Sequence, residues 1–164
     1  MSDVVIVSAA RTPVGSFNGS FSDISAADLG SIAIKEAINR AKIKTSDVSE
    51  VIMGQVLTAS CGQNPARQAS INAGIPNEVT AITINQVCGS GIRSIALGWQ
   101  SIMNNESEIV VAGGQENMTQ APHCFHLRQA GNIGDAEMID SMIKDGIWDI
   151  FNGYHMGITA ENVA

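Results

Sequence analysis

The chain has 164 residues, which is enough for one domain with a core of its own. With 45% hydrophobic and 15% charged residues, the composition is that of a globular protein and excludes a disordered one. The formal net charge of −7 provides no overall basic surface, so we expect neither a nucleic acid nor a membrane as partner.

The cysteines and the N-terminus indicate the cellular compartment. The three cysteines, Cys61, Cys88 and Cys124, show no spacing typical of zinc ligands. We therefore expect no metal site and read Cys61 and Cys124 as reduced structural thiols. The first residues have neither the apolar core of a signal peptide nor the Arg-rich start of a transit peptide, and no apolar run is long enough to span a membrane. These features predict a cytoplasmic protein.

Short apolar runs alternate with helical patterns along the first 118 residues. Val4–Val7 is apolar throughout and predicts a strand buried on both faces. Ser25 and Asp28 approximate a capping box, and Pro65 stands at a favoured first helical position. The predicted elements that follow are a helix from Ser25 to Ala41, a strand at 50–57, a helix from Asn64 to Ala73, a strand at 79–84, a helix at 89–104 and a strand at 108–112. This alternation predicts an α/β fold with a mostly parallel sheet.

The pattern changes after Gly113-Gly114. Residues 121–135 read as a long loop, and such loops are more often functional or interfacial than idle. Residues 137–144 predict a short helix, and Thr159 is a candidate cap of a new one. Because the chain stops at Ala164, within two turns of that cap, we expect it to be a portion of a longer protein.

Cys88 lies in the stretch NQVCGSGIRS, Asn85–Ser94, at a predicted strand-to-helix turn. Three interpretations compete: a buried packing thiol, a nucleophile, or a neighbour of a glycine-rich phosphate loop. Ser94 stands where a dinucleotide fingerprint requires its third glycine, which weakens the phosphate loop. Gly91 and Ile92 replace the fourth and fifth residues of the papain signature, which weakens a papain-like protease.

A helix start favours a thiolate but does not activate it alone. The terminus contributes about 0.3–1 kcal/mol, whereas a shift of one pKa unit requires about 1.4 kcal/mol. A nucleophilic thiol therefore needs a partner, usually a histidine base. The candidates in this chain are His123, His126 and His155, and the sequence alone brings none of them to Cys88.

The helix predicted after Cys88 is apolar on nearly every side. Arg93 is its only charge before Glu106, so we expect the helix to lie inside the molecule, between layers.

Five stretches together resemble the thiolase family, in its acetoacetyl-CoA branch. They cover nearly the whole chain in the family's order: VVIVSAARTPVGSF near the start, GQNPARQAS at 62–70, NQVCGSGIRS at 85–94, VVAGGQENM at 110–118 and YHMGITAENVA at the end. The resemblance implies a thiolase-like N-terminal domain at residues 1–118, with a mixed, mostly parallel sheet and helices on both faces. Residues 119–164 would begin the family's loop domain, which serves assembly and the CoA pocket.

The resemblance also implies the chemistry. Cys88 would be the catalytic nucleophile that accepts an acyl group as a thioester, and its backbone N–H would donate to an oxyanion hole. His155, Met156 and Ile147 would line the substrate pocket. The implied substrates are acetyl-CoA, acetoacetyl-CoA and CoA, without a further cofactor, in a homodimer or homotetramer. His123 and His126 would serve structure or assembly.

The resemblance assigns the activating histidine and the second catalytic cysteine to the family's C-terminal half. We therefore expect these 164 residues alone to be inactive. The alternative hypothesis is a non-catalytic module that interacts with thiolase subunits.

Overall fold

The computed structural model describes residues 3–126 and 135–164. The helices are α1 at Ala26–Ala41, α2 at Pro65–Asn72, α3 at Ser90–Met103 and α4 at Met156–Val163. The strands are β1 at Glu50–Gly54, β2 at Thr80–Ile84, β3 at Val110–Gly114, β4 at His123–Cys124, β5 at Ile139–Asp140, β6 at Trp148–Asp149 and β7 at Tyr154–His155. The predicted order from α1 to β3 is confirmed, with boundaries that differ by up to three residues.

The three longer strands form one parallel sheet in the order β2-β1-β3. Glu50 lies beside Thr80 and Val110 at one end, and Gly54 lies beside Ile84 and Gly114 at the other. Antiparallel pairing among the described residues occurs outside this sheet, in the two-stranded ladders β4-β5 and β6-β7. The carboxyl ends of the parallel strands meet at one edge, which we call the carboxyl edge.

Helices cover both faces of the sheet, as predicted. On one face, Val51 and Met53 of β1 join the apolar residues of α1 and α2 in the main core. On the other face, α3 packs against β1 and β3. The α/β class of the N-terminal thiolase pattern is thereby confirmed.

The caps of α1 and α2 form as their sequences predict. The Ser25 hydroxyl accepts a hydrogen bond from the Asp28 amide at 3.0 Å, which begins α1. Asn64 accepts from the Arg67 amide at 3.2 Å, with Pro65 at the first helical position of α2.

The predicted strand at Val4–Val7 is wrong. Val5, Ile6 and Val7 are 70%, 77% and 69% exposed, and the segment belongs to no ladder among the described residues. The chain instead crosses α1, where the Ser8 hydroxyl donates to the Ala37 carbonyl at 2.7 Å. An apolar run forms a strand only where a neighbouring strand pairs with its backbone, and no described strand lies beside this one.

The predicted burial of α3 is also wrong. Its buried residues are small (Ser90, Ser94, Gly98 and Ser101), whereas Ile92 is 79% and Trp99 51% exposed. A Cβ at Gly98 would meet the Val110 side chain at 3.0 Å, so the helix approaches the sheet through its small residues. The exposed apolar side chains of Ile92, Ile95 and Trp99 consequently lie away from the sheet.

The region after residue 118 differs in detail from its prediction. Residues 137–144 form β5 and the start of a π-helical turn at Met142–Ile147, not a regular helix. His155, not Thr159, caps α4, because its ring Nδ1 accepts the Gly157 amide at 3.0 Å. Within the loop predicted at 121–135, His123–Cys124 form the short strand β4, and residues 127–134 lie outside the described residues. The boundary after residue 118 stays a prediction.

Candidate active site

Cys88 lies at the carboxyl edge, in the turn between β2 and α3, and its side chain is exposed. This exposure rules out the buried packing thiol considered above. Because the turn follows a strand and begins a 14-residue helix, the thiol stands beside the positive end of α3.

Side-chain hydrogen bonds hold the backbone of this turn. The Asn85 Oδ1 accepts from the Val87 amide at 2.8 Å. The Ser90 hydroxyl donates to the Val87 carbonyl at 2.6 Å and accepts from the Gln86 amide at 2.8 Å. Polar groups before and after Cys88 therefore fix its backbone.

Val87, directly before Cys88, has a φ of +50°. This left-handed conformation is unfavourable for a β-branched residue and costs of order 1–3 kcal/mol. Such strain persists only where surrounding contacts enforce it, and the Asn85 and Ser90 hydrogen bonds are those contacts. The strained turn directs the side chain of Cys88 to solvent at the carboxyl edge.

Gly54 lets the start of α3 approach the sheet closely. A Cβ at Gly54 would lie 2.5 Å from the Ser90 Cβ and 2.7 Å from the Ser90 carbonyl carbon. A Cβ at Gly114, the register partner of Gly54, would lie in ordinary contact 3.6 Å from the Gly91 Cα, so the end of β3 also lies against this helix start. The Ser94 hydroxyl adds a hydrogen bond of 2.8 Å to the Gly113 carbonyl. The turn that carries Cys88 thus lies against the glycine ends of β1 and β3, Gly54 and Gly113-Gly114, which we call the glycine seat.

Glu116, just beyond β3, binds the loop that leaves β1. Its carboxylate accepts from the Val56 amide at 2.8 Å and from the Leu57 amide at 3.2 Å. Burial raises the pKa of Glu116, and the two backbone N–H groups oppose that shift without cancelling it.

A groove of about 440 Å³ opens beside the Cys88 turn at the carboxyl edge. Polar, uncharged side chains from the loops after β1 and β2 line much of it, and these are Gln55, Thr58, Asn64, Thr83 and Asn85. Since Asn85 also holds the Cys88 turn, the groove and that turn share a wall.

The three residues predicted to line the substrate pocket lie close together, around the β6-β7 hairpin. Ile147 is half-buried and directly precedes β6, His155 ends β7 opposite Trp148, and Met156 begins α4. Met156 is 40% exposed and His155 is exposed. Their role in a substrate pocket stays a prediction.

Two of the histidines, His155 and His123, have partners other than the Cys88 thiol. His155 accepts from the Gly157 amide, which requires Nδ1 to be unprotonated and leaves the ring proton on Nε2. The Nε2 of His123 lies 3.8 Å from the Asp140 carboxylate. Within residues 3–126 and 135–164, no cluster of His, Cys, Asp or Glu side chains is suited to a metal ion, and no helix is long and apolar enough to cross a membrane.

Several residues that build this site are not singled out by the sequence motifs. Gly54 and Glu116 stand within larger patterns, although a glycine that ends a buried strand beside a helix start is a signal of close packing. The left-handed conformation of Val87 has no sequence signal, because valine disfavours it.

Comparison with known proteins identifies the family. The model of the thiolase N-terminal domain matches residues 4–164. The chain belongs to the thiolase family. It is 61% identical over 165 residues to an acetyl-CoA acetyltransferase of Cupriavidus necator, a match that covers 100% of this chain and 42% of that protein.

Further relatives of similar identity carry the same enzyme name. A cytosolic acetyl-CoA acetyltransferase of Rattus norvegicus is 55% identical over 161 residues, covering 98% of this chain and 41% of that protein. A probable acetyl-CoA acetyltransferase of Escherichia coli is 53% identical over 165 residues, covering 100% and 42%. The chain thus spans about two fifths of the length of the curated relatives it matches. The resemblance to thiolases stated from the motifs is confirmed.

Proposed function

We propose that this chain is the Cys88-bearing portion of an acetyl-CoA acetyltransferase, which interconverts two acetyl-CoA with acetoacetyl-CoA and CoA. The observation that carries the proposal is the exposed thiol of Cys88 on a strained turn at the start of α3. The identity to relatives named acetyl-CoA acetyltransferase supports the choice of substrate.

The first half-reaction is acyl transfer to Cys88. The thiolate attacks the carbonyl carbon of acetyl-CoA, the bond from that carbon to the CoA sulfur breaks, and CoA leaves as a thiolate that takes up a proton. Amides at the start of α3 are suited to stabilise the oxyanion that forms during the attack. In the second half-reaction, the methyl carbon of another acetyl-CoA loses a proton and attacks the acyl carbon, which releases the Cys88 thiolate and acetoacetyl-CoA.

The β6-β7 hairpin supplies the proposed substrate-binding residues. Ile147 and Met156 offer apolar surface to the acyl and pantetheine groups, and the Nε2–H of His155 offers a hydrogen-bond donor. The reaction uses CoA thioesters as substrates and needs no separate cofactor. The activating histidine and the second cysteine that thiolases require are proposed to lie outside these 164 residues.

The proposal includes a cytoplasmic homo-oligomer that acts in lipid metabolism. A cytosolic location is supported by the names of the rat and mouse relatives. Association of subunits is supported by the exposed apolar side chains of α3, since patches of this kind favour contact with another protein surface.

Exchange of labelled CoA into acetyl-CoA tests the first half-reaction on the full-length protein. A covalent acetyl-enzyme predicts exchange without a second acetyl acceptor. We expect Cys88→Ala to abolish the exchange and Cys61→Ala to retain it. Exchange that persists in Cys88→Ala overturns the proposal.

A second candidate function is that of a non-catalytic module that binds thiolase subunits. The observation that favours it is the outward apolar face of α3, with Ile92, Ile95 and Trp99 exposed. Under this hypothesis the 164-residue chain co-elutes with a thiolase subunit in size-exclusion chromatography, and Trp99→Ser weakens the complex. A monodisperse monomer in the presence of that subunit would exclude it.

A further inference from the structure

Three consecutive residues after β3 bind two separate segments of the chain, residues 55–57 and residues 21–24. The side-chain amide of Gln115 donates to the Gln55 Oε1 at 2.9 Å. The Glu116 carboxylate accepts from the backbone amides of Val56 and Leu57. Asn117 donates to the carbonyls of the 21–24 segment at 2.7 and 2.8 Å. We call residues 115–117 the clamp.

The clamp is itself held in place. Gln115 is 7% exposed, and a Cβ at Gly30 of α1 would lie 1.9 Å from its Oε1. The Gln115 backbone amide donates to the Gly54 carbonyl at 2.9 Å, which extends the β1-β3 ladder by one bond. Glu116 therefore projects from a fixed backbone and has a defined position relative to β1.

The clamp acts on the segment that leads from β1 to the groove. Gln55 is 1% exposed, and its side-chain amide donates to the Leu57 carbonyl at 2.9 Å and to the Cys61 sulfur at 3.5 Å. Its backbone amide donates to the Ile84 carbonyl at 3.0 Å, one residue before Asn85. Residues 55–61 thus connect the clamp to the wall that the groove shares with the Cys88 turn.

We propose that Glu116 is a positioning residue for the reaction at Cys88, holding residues 55–57 so that the glycine seat and the groove beside the Cys88 turn keep their geometry. A carboxylate has two acceptor oxygens and can bind two successive backbone N–H groups, whereas a side-chain amide has only one. A glutamine at this position accepts one N–H, but its own NH₂ faces the other. The inference rests on the proposed acetyl transfer through Cys88.

The test compares Glu116→Gln with Glu108→Gln in the full-length protein. Glu108 is an exposed carboxylate shortly before β3, so its substitution makes the same change of charge away from the clamp. The rate of Cys88 acetylation by acetyl-CoA is measured in rapid-quench experiments and divided by the number of Cys88 sites that become acetylated. This division removes the effect of any unfolded fraction, so a purely structural role leaves the rate per site unchanged.

We expect Glu116→Gln to lower the rate per site by about tenfold or more, because small displacements of a reacting group are costly, and Glu108→Gln to leave it unchanged. Glu116→Asp, which keeps the charge but is shorter, should fall between them, and it carries the test if Glu116→Gln does not fold. An unchanged rate in Glu116→Gln, or an equal loss in Glu108→Gln, overturns the inference. Failure of the wild-type protein to acetylate Cys88 overturns the proposed function instead.

Discussion

Gly54→Ala tests the glycine seat beneath the Cys88 turn. The new Cβ would lie 2.5 Å from the Ser90 Cβ and 2.7 Å from its carbonyl carbon, whereas ordinary contacts begin at 3.4 Å. Relief of both contacts requires the start of α3 to move by about 1 Å, because the second obstacle is backbone and has no rotamer to escape into. Overpacking of this kind costs about 1–3 kcal/mol of the free energy of unfolding. A displacement of 1 Å at a reacting group lowers a rate by about 10²-fold.

Gly91→Ala is the matched control, because Gly91 lies in the first turn of α3, directly after Ser90. A Cβ at Gly91 has no neighbour within 4 Å among the described atoms, so the same chemical change is made in open space. We expect this variant to be as stable as wild type or more stable by up to about 1 kcal/mol, because alanine is the better helix former. Urea denaturation gives the two stabilities, and acetylation per Cys88 site gives the two rates. Equal stabilities and rates for Gly54→Ala and Gly91→Ala would refute the proposed seat.

Three further predictions concern the same edge. Ser90→Ala removes both hydrogen bonds to Gln86 and Val87 and should lower the free energy of unfolding by about 1–3 kcal/mol; stability equal to wild type in urea would contradict this. Val87→Asn should raise stability by about 1 kcal/mol, because asparagine tolerates the left-handed conformation, and a fall in the urea midpoint would show that the strain is absent. Since burial raises the pKa of Glu116, the folded state binds its proton more readily than the unfolded state, and stability falls as pH rises from 4.5 through the raised value. The stability of wild type relative to Glu116→Gln should therefore decline over that window, and parallel pH curves would contradict the assignment.

The sequence predicted the helices and strands from α1 to β3 better than it predicted which of their faces are buried. Caps at Ser25 and Asn64 are local interactions, and the structure forms both. The burial of α3 is not local. Its apolar residues on nearly every side predicted a helix buried between layers, but the sheet contacts only the side with Ser94 and Gly98, where small residues permit close approach.

The Val4–Val7 prediction failed for a related reason. An apolar run indicates that burial would stabilise a segment, but it does not indicate the surface against which the segment packs. In the described chain the neighbouring element is α1, to which Ser8 and the Ala9 carbonyl are hydrogen-bonded. Strand formation depends on a partner strand, and composition carries no information about the partner.

At the site, the sequence predicted the position of Cys88 but not the means of holding it. A strand-to-helix turn follows from the local pattern. The contact between Glu116 and the amides of Val56 and Leu57 joins residues about 60 positions apart, and only the parallel pairing of β1 with β3 brings them together. The strained conformation of Val87 contradicts its local preference and is enforced by its neighbours.

The central claim is that Cys88 accepts the acetyl group. The most direct measurement is rapid quenching of the full-length protein with acetyl-CoA, followed by digestion and mass mapping of the acetylated peptides. We expect acetylation of the peptide that contains Cys88, and loss of that acetyl group when CoA is added back. Acetyl groups on the peptide of Cys61 or Cys124, with the Cys88 peptide unmodified, would contradict it.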